Sequence, residues 1–241
     1  MKGKSMLYDF GSGEVAAYKW VNADGQEGGI VAESARVYDT AIIGPGASIG
    51  PGASIGQNAR IGDRVVLGDG ASIGCGAAIG AYARIGDEAT IGADARIGAY
   101  AGIGAYARIG AYASIGDGAA IGADARIGYR ASIGDGASIG DGAFIGCGAS
   151  IGDGASIAAA DWYISGGPCG SRDAMWFAVH SREHGLRWWV GCQRGISTDA
   201  LLERVQAEHG DNEHAQAYRH AVQYVTTHPE YLRRIEQGAK E

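Results

Sequence analysis

A six-residue pattern runs through the middle of the chain, beginning Ile43-Gly44-Pro45-Gly46-Ala47-Ser48 and continuing Ile49-Gly50-Pro51-Gly52-Ala53-Ser54. Aliphatic residues occupy every sixth position from Val31 to Ile157, which makes 22 consecutive hexads without an insertion. Alanine follows four positions later almost throughout, and Val65 is the exception. A period of six residues fits neither an α-helix nor a hairpin sheet. It predicts a solenoid whose coils have three flat sides, each one hexad long, with the aliphatic side chains pointing inward.

The corners of such a coil need residues that tolerate a positive φ, and the fourth position of the hexad supplies them. Glycine and asparagine adopt this backbone conformation most readily. Asn58 occupies one of these positions, and glycine occupies nine others, at Gly46, Gly52, Gly70, Gly76, Gly118, Gly136, Gly142, Gly148 and Gly154. The fourth positions are therefore predicted to be sharp turns.

This pattern resembles the hexapeptide-repeat family of left-handed parallel β-helices, over residues 31–157. The left-handed sense of the coils is implied by the resemblance alone. The general rule for crossovers between parallel strands would predict right-handed coils. We expect an all-β solenoid of about seven triangular coils in this region. An open solenoid exposes strand edges at both ends, so that a cap is needed at each. Residues 1–30 are predicted to form an N-terminal β-hairpin cap, and residues 158–241 a small C-terminal α+β module.

The composition of the C-terminal module differs from that of the repeat, because four of the five tryptophans lie in it. Apolar runs predict strands at residues 174–180 and 186–192. Two helices are expected to be separated at Gly210, and a short third helix to begin at Pro229. The module is therefore a hairpin followed by two or three helices.

The family's best-known members are acyltransferases, with a branch of carbonic anhydrases, and the resemblance implies a histidine as general base or as zinc ligand. None of this chain's histidines lies in residues 1–179, since the six are His180, His184, His209, His214, His220 and His228. No loop is extruded from the repeat. These observations predict a protein that is not an enzyme, with no catalytic residue, metal site or cofactor assigned.

The main functional prediction is a structural or recognition scaffold that presents its C-terminal module. The resemblance implies a homotrimer. The module contains Gly-Ser-Arg at 170–172, Gly-Leu-Arg at 185–187 and His-Gly-Asp-Asn at 209–212, and it resembles that of phage and prophage hexapeptide-repeat proteins. A phage-related protein acting in the host cytoplasm, with a host protein as a partner, is expected on this basis.

Two alternatives give the C-terminal module a chemical role. Its polar residues are suited to a small nucleotide-like anion, because arginine binds phosphate or carboxylate and the others can meet sugar hydroxyls. The residues of this set are Arg172, Arg187, His209, Asp211 and Asn212. The opposing interpretation is that the last three only cap helices. The second alternative is an acyltransferase that uses a C-terminal histidine such as His209.

Tyrosines and aspartates also stand out at predicted corners. Tyr82 and Tyr100 share one corner column, and Tyr106 and Tyr112 occupy the other two corners of one coil. They either form a contact belt for a partner or simply cover turns that lack glycine. A column of stacked aspartates, formed by Asp117, Asp135 and Asp153, either binds cations or consists of solvated corner residues.

Charge and composition exclude several classes of protein. The net charge is −7, which argues against a nucleic-acid binder or an anionic-membrane binder. No apolar run is long enough for a membrane span, and the first residues lack the apolar stretch of a signal peptide. The four cysteines have no metal-ligand spacing with histidine. A cytoplasmic protein with free thiols is expected.

Overall fold

The structure, a computed structural model, describes residues 2–158, 162–169, 174–181, 185–190 and 193–227. The chain divides into two units, one of residues 1–144 with 150–160 and the other of residues 145–149 with 161–241. The first unit consists of coils of short strands, and the second of an antiparallel sheet and two helices. The domain boundaries that we expect from the sequence stay a prediction.

The first unit begins with three longer strands, β1 (Lys2–Asp9), β2 (Glu14–Val21) and β3 (Glu27–Ala32). β1 pairs antiparallel with β2, and β2 pairs antiparallel with β3. The expected hairpin corresponds to β2 and β3, and β1 adds a third strand beside β2. From here on each hexad contributes one strand of two residues. These strands are β4 (Arg36–Val37), β5 (Ile42–Ile43), β6 (Ser48–Ile49), β7 (Ser54–Ile55), β8 (Arg60–Ile61), β9 (Val66–Leu67), β10 (Ser72–Ile73), β11 (Ala78–Ile79), β12 (Arg84–Ile85), β13 (Thr90–Ile91), β14 (Arg96–Ile97), β15 (Gly102–Ile103), β16 (Arg108–Ile109), β17 (Ser114–Ile115), β18 (Ala120–Ile121), β19 (Arg126–Ile127), β20 (Ser132–Ile133), β21 (Ser138–Ile139), β22 (Phe144–Ile145), β23 (Ser150–Ile151) and β24 (Ser156–Ile157).

Each short strand pairs in parallel with the strand eighteen residues later, as Ser54 does with Ser72 and Ser72 with Thr90. Three strands therefore make one coil, and the coils stack into three flat sheets. One sheet continues from β3 through β6 to β24, a second runs from β5 through β8 to β23, and a third from β4 through β7 to β19. The solenoid of about seven triangular coils is confirmed.

The interior of the coils is filled by one aliphatic side chain and one small side chain per hexad. The aliphatic residues from Ile43 to Ile151 are at most 5% exposed, and the residues at the fifth position of the hexads, from Ala41 to Ala149, are at most 1% exposed. Burying one isoleucine side chain contributes about 2 kcal/mol. The repeated pattern is therefore the hydrophobic core itself.

The corners of the coils are left-handed, as the sequence predicts. The nine glycines at the fourth position have φ between 63° and 72°, and Asn58 has a φ of 57°. Left-handed backbone is costly for a residue with a Cβ. The same conformation nevertheless occurs at nine further corners without glycine, at Arg64, Tyr82, Glu88, Asp94, Tyr100, Tyr106, Tyr112, Asp124 and Arg130.

The buried side chain of Asn22 closes the free edge of the sheet that starts at β5. Its Nδ2 donates to the carbonyl oxygen of Ile43 at 3.0 Å, and its Oδ1 accepts from the backbone N–H of Ile43 at 2.9 Å. The same Oδ1 accepts from Nε1 of Trp20 at 3.0 Å. One side-chain amide thus takes the place of a neighbouring strand.

The second unit contains the strands β25 (Trp162–Cys169), β26 (Ala174–Ser181), β27 (Gly185–Val190) and β28 (Gln193–Ile196), which pair antiparallel in sequence order. Two helices follow, α1 (Thr198–His209) and α2 (Glu213–Thr226). The helix expected from Pro229 lies outside the described residues. Neither α1 nor α2 is long and apolar enough to cross a membrane.

Tryptophan side chains form the core of the second unit. Trp188 is fully buried, and its Nε1 donates to Oγ1 of Thr198 at 3.0 Å, which ties β27 to the start of α1. The ring of Trp176 lies 5.7 Å from that of Trp188. Leu201 and Val205 of α1 are buried as well.

The phenol of Tyr163 makes the stability of this unit sensitive to alkaline pH. Burial raises its pKa from 10.0 to about 12, because desolvation disfavours the phenolate. The folded state therefore holds the proton more tightly than the unfolded state, and stability is lost as the pH rises from 10 towards 12. The loss should reach about 2 kcal/mol. Urea unfolding across this pH range should show it in the natural protein and not in Tyr163→Phe; parallel pH profiles of the two would contradict the assignment.

Candidate functional site

Three of the predicted site residues lie at the junction between α1 and α2. Gly210 ends α1 with a φ of 56°, and its N–H donates to a carbonyl oxygen of the preceding turn. Asn212 precedes α2, and its Oδ1 accepts from the backbone N–H of Ala215 at 3.0 Å. Asp211 forms an ion pair with Arg219 at 2.9 Å. The contacts of Gly210 and Asn212 are those that the helix-cap interpretation predicts, whereas the ion pair of Asp211 is not a cap contact. Ligand binding by this segment stays a prediction.

The imidazole of His209 lies at the same junction, in the last turn of α1, with 13% of its side chain exposed. Its ring stacks on that of Tyr218 with centroids 5.9 Å apart, and it lies 5.6 Å from the ring of His214. The Nε2 atom is 4.0 Å from Oε2 of Glu208. His209 thus has two aromatic neighbours, and the carboxylate of Glu208 lies beyond hydrogen-bond distance of its Nε2.

Arg187, one of the two arginines of the predicted set, makes no described polar contact with this junction. Arg187 lies on β27, opposite Val179 of β26, and is half-buried. Within the described parts of the chain, its side chain makes no hydrogen bond or ion pair with His209, Asp211 or Asn212. Arg172 lies outside the described residues.

The four predicted contact tyrosines lie on left-handed corners and are exposed. Tyr82 and Tyr100 stack in parallel, with ring centroids 4.9 Å apart and planes within 5°. The hydroxyl of Tyr82 accepts from a guanidinium nitrogen of Arg64 at 3.0 Å. Tyr106 and Tyr112 occupy the other two corners of the coil that carries Tyr100, at 58% and 53% exposure. Contact with a partner stays a prediction for all four.

The aspartate column has a structural explanation. Oδ1 of Asp117 accepts from the backbone N–H of Ala99 at 2.8 Å, and Asp135 and Asp153 accept in the same way from residues one coil earlier. Each carboxylate thus satisfies a corner amide that no strand pairs. No cluster of metal-binding side chains occurs among the residues that the structure describes.

A polar cleft that the sequence analysis does not identify lies beside β13, β16 and β19 and encloses about 310 Å³. Two parallel columns of side chains line it. The corner column consists of Glu88, Tyr106 and Asp124, and the strand column of Thr90, Arg108 and Arg126.

The strand column places two positive charges next to each other. Arg108 and Arg126 are direct partners in neighbouring parallel strands, so that their backbones are about 5 Å apart. Like charges at this spacing repel each other. Arginine offers a planar set of donors that matches the oxygens of phosphate and carboxylate. An anion between the two guanidinium groups would therefore relieve the repulsion.

The corner column gives the cleft its negative charges at a cost in backbone strain. Glu88, Tyr106 and Asp124 have φ of 56°, 60° and 56°. The other left-handed corners of the same column are glycines, which adopt this conformation without strain; they are Gly52, Gly70 and Gly142. Strained residues with chemically active side chains are frequent at functional sites.

The sequence does contain a signal for this cleft. The fourth and sixth positions of a hexad lie side by side, and three hexads eighteen residues apart carry polar pairs there: Glu88 with Thr90, Tyr106 with Arg108, and Asp124 with Arg126. The cleft therefore follows from residues at two hexad positions taken together, and not from a single column.

Part of the repeat matches a known protein family. Residues 40–74 and 70–105 match the family model described as bacterial transferase hexapeptide (six repeats). No curated protein matches the chain at a significant level.

Several solved structures are similar to this chain. The acetyltransferase domain of PglB from Neisseria gonorrhoeae is 26% identical over 54% of this chain and 53% of that domain, with a TM-score of 0.29. The UDP-N-acetylglucosamine acyltransferase of Francisella novicida is 18% identical over 82% of this chain and 89% of the other, with a TM-score of 0.45. PerB from Caulobacter crescentus, in complex with CoA and GDP-perosamine, is 23% identical over 61% and 55%, with a TM-score of 0.24. The match thus spans about half the length of the PglB domain.

These findings correct the prediction of a non-enzymatic scaffold, which is wrong. The family model that matches residues 40–74 and 70–105 describes transferases. The prediction rests on the lack of histidine in residues 1–179. Histidines that could act as a base, among them His209 and His214, are present in the second unit. None of these descriptions mentions a phage, so that the phage resemblance of residues 158–241 has no support.

The family match, at residues 40–105, lies within the stretch that has the period of six, the buried isoleucines and the left-handed corners. The repeat of this chain belongs to the hexapeptide-repeat family of left-handed parallel β-helices.

Proposed function

We propose that the protein is an acyltransferase, which moves an acyl group from a thioester donor to an amine or hydroxyl acceptor. The observation that carries this proposal is the match of residues 40–105 to a model of bacterial transferases. In such a reaction the acceptor loses a proton, attacks the carbonyl carbon, and displaces a thiolate, which takes up a proton. A general base near the acceptor is therefore the residue that the chain must supply.

His209 is our candidate for this base. Imidazole is the most frequent general base in proteins. The ring of His209 is held by Tyr218 and His214, and its Nε2 lies near the carboxylate of Glu208. Its position on a helix, rather than on a loop, favours a fixed orientation. His220, on the exposed face of α2, offers a matched control because it has no such surroundings in the described residues.

We further propose that the working form is a homotrimer located in the cytoplasm, where thioester donors are made. Small residues on the flat sheets, such as Ala120, Ser132 and Ser138, support close packing of one copy against another. Activity should therefore be measured on each oligomeric fraction after size-exclusion chromatography. Turnover confined to the monomer fraction would contradict the trimer.

The test of function uses acetyl-coenzyme A with a panel of amino and hydroxy sugars, and follows both thiol release and the acetylated product. The natural protein should turn over at least one pair, and His209→Ala should lower kcat by about 100-fold or more. His220→Ala should retain full activity. Added imidazole should restore part of the rate to His209→Ala, an effect that a purely structural role would not give.

The outcomes separate the two parts of the proposal. No acceptor-dependent thiol release with any pair would count against acyl transfer. Normal turnover by His209→Ala would leave acyl transfer in place and remove His209 as the base.

A further inference from the structure

The polar cleft is defined by Glu88, Tyr106, Asp124, Thr90, Arg108 and Arg126. Its charges sum to zero, with the negative groups in the corner column and the positive groups in the strand column. The two arginines are adjacent along the strand column. The two carboxylates are two coils apart along the corner column, which is about 10 Å, with Tyr106 between them. A ligand that carries only negative charge would meet the carboxylates, and a cation would meet the arginines.

Among the residues that the structure describes, Glu88, Arg108 and Asp124 take part in no ion pair within 4.0 Å. Elsewhere in the described chain such contacts do form, as between Lys19 and Glu27 at 2.6 Å. The cleft therefore presents charged groups that a bound molecule could satisfy.

The size of the cleft limits the ligand. A volume of about 310 Å³ is at the lower end for small-molecule sites. The hydroxyls of Thr90 and Tyr106 add hydrogen-bonding groups between the charges. A nucleotide or a peptide would extend well beyond these six side chains.

We propose that the polar cleft binds a small zwitterion that carries a phosphate at one end and an ammonium group at the other. The phosphate lies between the guanidinium groups of Arg108 and Arg126, and the ammonium group meets the carboxylate of Asp124. This inference depends on the cleft alone, and its test uses no acyl donor, so that it can fail while the acyltransferase proposal holds.

Isothermal titration calorimetry with aminoalkyl phosphates, from aminoethyl to aminohexyl phosphate, tests the binding. The series allows for the distance between the two ends. The matching hydroxyalkyl phosphates lack the ammonium group, and the matching alkylamines lack the phosphate. At least one aminoalkyl phosphate should bind about tenfold or more tightly than both of its single-charge counterparts.

Two pairs of variants assign the ends of the ligand. Arg108→Gln should weaken the aminoalkyl phosphate about tenfold, whereas Arg96→Gln, at the same hexad position on another sheet, should leave binding unchanged. Asp124→Asn should weaken the aminoalkyl phosphate but not the hydroxyalkyl phosphate, and asparagine keeps the left-handed corner. Asp94→Asn, at a corner with nearly the same φ of 55°, is its control.

Every outcome bears on the inference. Selective binding that is lost in Arg108→Gln and Asp124→Asn supports it. Equal binding of the hydroxyalkyl phosphates, equal losses in the control variants, or no binding across the series would overturn it.

Discussion

Replacing Gly92 with alanine should lower the free energy of unfolding by about 3 kcal/mol, because the next coil leaves no space for a methyl group. A Cβ at this position would lie against the backbone nitrogen of Ala111 and 2.7 Å from the carbonyl carbon of Gly110. Both atoms belong to the backbone of the neighbouring coil, so that no side-chain rotation can relieve the clash. The coil spacing itself would have to change. Urea unfolding followed by circular dichroism measures the loss.

A matched control separates this clash from the usual effects of replacing glycine. Gly118 lies at a corner with a φ of 64°, and nothing lies within 4 Å of a Cβ built there. Gly118→Ala should therefore lose only the cost of a left-handed alanine, about 1 kcal/mol. Equal losses in Gly92→Ala and Gly118→Ala would show that coil contact does not require the glycine after the aliphatic residue.

The contrast between Gly92 and Gly118 separates features that the sequence predicts from features that only the structure explains. The period of six and the alternation of isoleucine and alanine are enough to predict the coils, because a period fixes which residues face inward. The corner glycines follow from their tolerance of positive φ. The glycine after each aliphatic residue is visible in the sequence. The reason for it is a close contact with the backbone of the next coil, about eighteen residues later, and a local sequence pattern does not reveal that contact.

The candidate site is less accessible to sequence analysis for a related reason. His209, Asp211 and Asn212 are neighbours in the chain, so that their meeting at a helix junction can be predicted from local capping rules. The polar cleft depends on six residues from three coils. Its recognition requires both the stacking register and the knowledge that corner and strand columns share one surface.

Replacing Asn22 should have the second large effect, at the N-terminal end of the coils. Asn22→Ala leaves the N–H and the carbonyl of Ile43, and Nε1 of Trp20, without their partner. Ile43 is fully buried and Trp20 is 2% exposed, so that water cannot easily replace the amide. An unsatisfied buried polar group costs about 1–3 kcal/mol, and we expect a loss of about 4 kcal/mol in urea unfolding.

The two exchanges Asn22→Asp and Asn58→Gly test whether hydrogen bonding is the cause. Asn22→Asp keeps both acceptor contacts and loses the donor to the carbonyl oxygen of Ile43. Burial raises the pKa of a carboxyl group in such a place, and the protonated form can donate to that carbonyl. The stability of this variant relative to the natural protein should therefore be greatest in acid and be lost as the pH rises through the raised pKa. Asn58→Gly, at a corner with a φ of 57°, should change stability by less than about 1 kcal/mol at any pH. A pH-independent loss in Asn22→Asp would mean that packing around Trp20, and not the amide hydrogen bonds, holds the first coil closed.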